Sequence, residues 1–266
     1  MFDEKDDRGP PTSLRGWLSE IYFPAIVDGQ REQLAKRLGA RATIDDPIHG
    51  RAAGLPGIDQ LLAKTEAWIE SHKATYQKGA FSTGIDRDVA EGVLSLTEDG
   101  KTVDLPIAVV TERRKSREVE LRVYASRKVT GAPAPRPRLV ALVSDLPLPK
   151  LVADHLDALK AGSVDAVLAC FETDGVIIDA DGRAHRKSDG TLRPHVQALL
   201  GSTQSPGCDL QRGGYADGGR TCGLEYTLVR LAGRDVTAQA GLLVYERGDT
   251  GLVHTLRCYD DALSVE

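Results

Sequence analysis

The sequence predicts an α+β protein built as two tandem modules, each with three helices on one face of a curved antiparallel sheet. Three observations carry this reading. Landmarks recur at a nearly constant offset: Asp46 and Asp179 lie 133 residues apart, Glu91 and Glu225 134, and the Arg122-x-Tyr124 and Arg257-x-Tyr259 pairs 135. Small loop changes absorb a two-residue drift, so the pattern is that of a duplication. Within each half, helical periodicity comes first and alternating or β-branched runs follow, an order that places helices on one side of an antiparallel meander. Between the halves runs V-T-G-A-P-A-P-R-P-R, where alternating proline makes a stiff, donor-poor connection. Residues 1–13 are expected to stay unfolded, 14–130 to form the first module, 131–147 the linker and 148–266 the second module. The apolar stretch at 139–143 has the composition of a strand but no evident place.

The first helix is expected from Leu14 to Val27, because Trp17, Leu18, Ile21, Tyr22 and Ala25 fall on one face. A shorter helix follows at Gln30–Leu38, then a strand A-T-I-D. A third helix at Ile58–Ser71 repeats Leu61, Leu62, Thr65, Trp68 and Ile69. Strands are expected at 73–82, 88–97, 102–113 and 118–126, broken by turns such as E-D-G. The second half repeats the order, with helices at 148–161, 163–172 and 189–200 and strands to residue 260. The glycine-rich G-G-Y-A-D-G-G-R at 213–220 reads as a long hairpin loop, and Arg113-Arg114-Lys115 as a solvated hairpin turn.

Composition excludes several classes of function. At 266 residues, 41% hydrophobic and 27% charged, the chain has ample material for a core. A net charge of −5 argues against a nucleic-acid partner. No apolar run approaches the ~20 residues of a membrane helix. The acidic N-terminus is the opposite of a secretory signal. Cys170, Cys208, Cys222 and Cys258 never pair as C-x-x-C, which fits reduced thiols in the cytoplasm. No His or Cys pair has metal-ligand spacing, so no zinc site is expected. D-A-D-G-R at 179–183 opens like a calcium loop but lacks the later oxygen ligands.

The chemistry-bearing positions share a spacing. Tyr22 precedes Asp46 by 24 residues, and His155 precedes Asp179 by 24. Tyr22 sits on an apolar helix face, where a phenol either bonds a core carbonyl or aims a donor into a pocket. Asp46 precedes Pro47 and reads as a turn former, or as a desolvated carboxylate suited to a general base. Asp45 and Asp46 point to opposite faces of the strand. His49 is a second proton acceptor or a loop cap. In the second half, His155 and Asp179 read as an acid–base pair or as a satisfied core imidazole. Glu225, Tyr245 and Arg257 line the second cavity if they face inward; a cross-strand Glu–Arg pair on the outer face fits equally well.

The run from Tyr22 to Ile58 resembles the ketosteroid isomerases, within the nuclear-transport-factor-2-like superfamily that includes the SnoaL-type polyketide cyclases. Their pattern is a tyrosine on the first helix, two short helices and a strand ending A-T-V-E-D-P-V-G, and Tyr22 to Pro47 aligns with it without a gap. The resemblance implies a cone-shaped module without a cofactor, in which Asp46 is the general base and Tyr22 an oxyanion donor. It also implies a missing part: the family's A-P-I-D, which carries a second donor, is L-P-I-A here and ends at Ala108. Losing one such donor typically costs ~10²–10³ in rate. Two functional expectations follow. One is an isomerase or cyclase acting on a lipophilic carbonyl or polyketide-like compound. The other is a non-catalytic ligand-binding or interaction module. An epoxide-opening hydrolase would need an Asp–Arg–Asp network that the sequence does not assemble. Relatives of this kind often pair through their sheets, so the tandem chain is expected to pair internally as a pseudo-dimer, monomeric in solution.

Overall fold

The computed structural model describes residues 16–98, 100–114, 118–126, 140, 141, 143, 147–201 and 207–259. The expected unfolded start at 1–13 and most of the linker lie outside them. The first half runs α1 (Leu18–Val27), α2 (Arg31–Leu38), β1 (Ala42–Asp46), β2 (Gly50–Ala53), α3 (Gly54–Ser71), β3 (Thr75–Thr83), β4 (Arg87–Glu98), β5 (Lys101–Arg113) and β6 (Val119–Ala125). The second runs α4 (Lys150–Ala161), α5 (Val164–Ala169), β7 (Phe171–Ile178), β8 (Ala184–Arg186), α6 (Leu192–Leu200), β9 (Asp209–Asp217), β10 (Thr221–Leu231), β11 (Arg234–Arg247) and β12 (Val253–Cys258). Local chemistry sets several of these ends. Gly162 closes α4 in the left-handed conformation at φ 68°, where glycine carries no Cβ penalty. The Ser163 side chain then accepts the Ala166 N–H at 3.2 Å and starts α5.

Each half forms one six-stranded sheet in the same order, β2-β1-β6-β5-β4-β3 and β8-β7-β12-β11-β10-β9. The meander is antiparallel as expected, but β1 joins β6, and β7 joins β12, in parallel. The parallel joint arises because α3 or α6 and four strands intervene before the chain returns beside its first strand. The short strands β2 and β8 carry too few residues for a period-two signal. The helix expected at 163–172 stops at Ala169, since Phe171 opens β7. Gly213–Asp217 is strand rather than loop. Of the unplaced stretch, Val143 N donates to Arg212 O of β9 at 3.2 Å. Among the described residues, no helix is long and apolar enough to cross a membrane.

Strand alternation divides the apolar residues into three cores. Leu105, Ile107 and Val109 of β5 pack under the first helices with Tyr22, Ile44, Ile58 and Leu62. Leu224, Tyr226, Leu243 and Tyr245 pack under the second set with Val152, Val167 and Val196. The opposite faces meet in the third: Val89, Ala108, Val110 and Tyr124 lie against Ala216, Leu242, Val244 and Tyr259. Each aliphatic side chain fully buried this way stabilises the fold by ~1.5–3 kcal/mol relative to exposure. Both sheets bend at matching bulges. Gly79 and Ala80 together face Glu91, and Gly213 and Gly214 together face Glu225. A Cβ at Gly79 or Gly213 would come within 2.9 Å of the carbonyl oxygen of the facing glutamate, so glycine is required for the approach.

Candidate functional site

In the first module, β1 alternates so that Ala42, Ile44 and Asp46 are buried, and α1 turns Ser19, Tyr22 and Ile26 inward. Tyr22 is wholly buried, and its hydroxyl has no hydrogen-bond partner among the described residues. Burial pushes its pKa well above the ordinary phenol value, the Asp46 carboxylate adds to the rise, and the Thr65 hydroxyl opposes it. Thr65 itself donates to Leu61 O at 3.1 Å. Tyr22, Asp46 and Thr65 therefore share one apolar interior. Asp46 is both turn former and buried acid: its Oδ1 accepts the N–H groups of Ile48 and His49, each at 2.8 Å. His49 is thus tied to Asp46 through its backbone, while its buried Nε2 is unpartnered among the described residues.

Two readings of this module need correction. Ala108 does not occupy an interior position, since it faces the other sheet with Val110. The β5 residues that face the first interior include Leu105, Ile107 and Val109, so no carboxylic acid stands among them whichever register is chosen. Arg113 is not a solvated turn residue. It pairs with the wholly buried Asp88 and lies 4.3 Å over the Trp17 ring. Asp88 also accepts a bond from Ser19, one helical turn before Tyr22. Burial pushes the Asp88 carboxyl up, and Ser19 and Arg113 offset this only in part. A lone aspartate at a strand start carries no sequence signal of this environment.

The second module is equipped differently. His155 takes the Tyr22 position on α4, wholly buried, and its Nδ1 lies 3.0 Å from the Tyr245 hydroxyl. Its Nε2 has no partner among the described residues, and burial lowers its pKa to about 4. The acid–base pair expected of His155 and Asp179 does not form, because Asp179 bonds instead to His185 Nε2 at 2.9 Å. His185 stacks on His195 at 3.8 Å between ring centroids. Neither histidine stood out in the sequence, since the contact joins β8 to α6 across non-periodic spacing. On the surface, Glu172, Asp174 and His254 bring ligand-capable atoms within 4.8 Å of one another, a cross-strand grouping invisible to linear spacing.

Glu225 and Arg257 do not line a second cavity. They belong to two reciprocal clusters between the sheets. Glu225 receives Arg122 Nε and Nη2 at 2.6 and 2.7 Å and the Tyr124 hydroxyl at 2.6 Å. Glu91 receives Arg257 Nε and Nη2 at 2.6 and 2.9 Å and the Tyr259 hydroxyl at 2.5 Å. Each arginine also reaches a carboxylate of its own module, Arg122 to Glu112 at 2.8 Å and Arg257 to Glu246 at 3.0 Å. Burial pushes the Glu225 carboxyl up, but Arg122 and Arg87 outweigh it and hold it below the usual carboxylate range. The repeated Glu, Arg and Tyr are therefore module-pairing residues.

No protein-family model matches the chain, and no curated protein matches it. Among solved structures, it is similar to a SnoaL-like protein of unknown function from Burkholderia thailandensis, at 14% identity over 41% of this chain and 90% of that one, with a TM-score of 0.33. A protein of ketosteroid isomerase-like fold from Catenulispora acidiphila, solved with trimethylamine, matches at 16% identity over 44% and 86%, TM-score 0.32. An epoxide hydrolase/cyclase-like enzyme of pyran ring formation in salinomycin matches at 16% over 40% and 85%, TM-score 0.33. The solved structures this chain is similar to are thus nuclear-transport-factor-2-like, SnoaL-like and ketosteroid isomerase-like proteins, each spanning about two fifths of it.

Proposed function

We propose that the first module moves a proton on a lipophilic carbonyl compound without a cofactor, with Asp46 as base and Tyr22 as oxyanion donor. One observation carries this: the Tyr22 hydroxyl is wholly buried, unpartnered among the described residues and electrostatically linked to the buried Asp46. A buried hydroxyl without a partner costs ~1–3 kcal/mol, and a ligand oxygen would meet that deficit. Asp46 takes a proton from the carbon beside the carbonyl, leaving its electron pair in the enolate. The Tyr22 O–H bonds the enolate oxygen, and the proton returns at a second carbon. Such a donor contributes ~10²–10³ in rate.

Asp46→Asn is the clean test. Its amide oxygen still accepts the Ile48 and His49 N–H groups, while the basic lone pair is lost. With a panel of β,γ-unsaturated ketones and ultraviolet detection of the conjugated product, turnover should drop ~10²–10⁴-fold at an unchanged melting temperature. Undiminished turnover in the variant would refute Asp46 as base. The rival reading, a ligand-binding module, is favoured by the two N–H groups already held by Asp46 Oδ1. Binding of the same ketones without product by mass spectrometry, unaffected by the substitution, would establish it. We also infer that the chain is a duplicated, internally paired protein of the cytoplasm, a reading supported by the reciprocal Glu–Arg–Tyr clusters and by four cysteines outside any disulfide.

A further inference from the structure

The second module carries imidazoles where the first has none. Neither β2 nor α3 contains a histidine, whereas β8 holds His185 and α6 holds His195. Asp179 follows β7 at the place Asp46 holds on β1, and its Oδ1 accepts the N–H groups of Asp181 at 3.1 Å and Arg183 at 2.9 Å. Its Oδ2 is thereby aimed at His185 Nε2, 2.9 Å away. A carboxylate there places a proton on Nε2 and orients the ring, leaving Nδ1 for other work. The His185 and His195 rings are nearly parallel, at 15° and 3.8 Å. Two unit charges ~4 Å apart near a protein surface repel by ~4 kcal/mol, so one ring of the pair stays neutral. Asp179 holds His185 through Nε2, and His195 is the neutral partner. Among the described residues, the titratable groups that act on His195 are His185 and Asp179. Burial first and His185 second lower its pKa to about 4, against the pull of Asp179.

We propose that His195 and His185, positioned by Asp179, form a second proton-transfer site acting on a protic small molecule such as an alcohol, an enol or a bound water. His195 takes the proton as the substrate O–H bond breaks, the electron pair remaining on oxygen. His195 then passes the proton to solvent, which resets the ring, while Asp179 holds the His185 ring against it. A neutral imidazole held beside a fixed neighbour is what such a step requires. This site is independent of Tyr22 and Asp46 and stands or falls separately from them.

Two measurements on the full-length chain test it. Diethyl pyrocarbonate modifies only neutral, accessible imidazoles. At pH 5 a free imidazole of pKa ~6.5 is ~3% neutral, so His195 should be labelled about 30-fold faster than the histidine of an unstructured peptide, each normalised to its labelling at pH 8. Equal normalised rates would overturn the proposal, and no variant is needed for this arm. With p-nitrophenyl acetate as probe, His195 removes a proton from water as hydroxide adds to the carbonyl. The aryl C–O bond then breaks, and acetate and p-nitrophenolate leave. His195→Gln should lose at least tenfold of the protein-dependent rate. Asp179→Asn should move the acid limb of the pH–rate profile, and Asp179→Glu should restore it in part. An unchanged rate in His195→Gln, or an unmoved profile in Asp179→Asn, would refute the assigned roles.

Discussion

Replacing Arg257 with Met tests whether the two sheets are held together by their reciprocal charges. Glu91 is nearly inaccessible, its side chain 4% exposed, and three bonds satisfy it, two from Arg257 and one from Tyr259. Met fills the aliphatic volume but leaves a buried carboxylate with a single phenol donor. Breaking one side of a buried ion pair costs ~3–5 kcal/mol. Arg257 is itself 18% exposed, so water relieves part of this, and a loss of ~3 kcal/mol is expected. Arg122→Met should cost less, ~2 kcal/mol, because Arg87 Nε stays 3.4 Å from Glu225 as a reserve counter-charge. Urea unfolding gives the readout, since Trp17 and Trp68 both lie in the first module while far-UV circular dichroism reports both. The double variant Glu91→Gln/Arg257→Met, without a stranded charge, should recover ~1–2 kcal/mol over the sum of the single changes. A loss below ~0.5 kcal/mol for Arg257→Met, or strict additivity in the double variant, would refute the reasoning.

Tyr22→Phe should raise stability by ~0.5–1 kcal/mol, because it removes a buried hydroxyl that has no partner among the described residues; calorimetry showing a loss above ~1 kcal/mol would mean the hydroxyl is bonded. Gly214→Ala should cost ~1–3 kcal/mol, since its Cβ would coincide with the Arg87 guanidinium and overpacking is costly; an unshifted melting temperature would contradict the packing. His155 has a folded pKa of about 4 against ~6.5 unfolded. The unfolded chain therefore binds the extra proton, so stability falls as pH drops from ~6.5 to ~4, by up to ~3 kcal/mol, and levels off below that. His155→Phe should flatten this slope in urea midpoints measured against pH, whatever its effect at neutral pH, and an unaltered slope would count against it.

Much of the architecture could be read from residue order alone. Helical and period-two patterns placed three helices and a meander in each half, because which face of an element is apolar is written locally. The 133-residue offset also marked Tyr22 and His155 as equivalent inward-facing positions, since each lies among apolar neighbours at helical spacing. What local pattern does not carry is which face of a two-sided strand meets which partner. Glu91, Glu225, Arg122 and Arg257 all sit on strands buried on both faces, so alternation alone did not separate a cavity wall from a module interface. Ala108 was misplaced for the same reason, since Leu105–Val110 is apolar at every position and shows no register. The parallel joints β1–β6 and β7–β12, the Asp88–Ser19 contact and the Asp179–His185–His195 cluster depend on residues brought together across sheets and helices. Sequence by itself determined the order of elements in each half, the recurring offset and the apolar helix face that carries Tyr22. Only the tertiary structure decided that the repeated charges join the modules and that the second aspartate serves a histidine pair, because burial and charge pairing arise where distant segments meet.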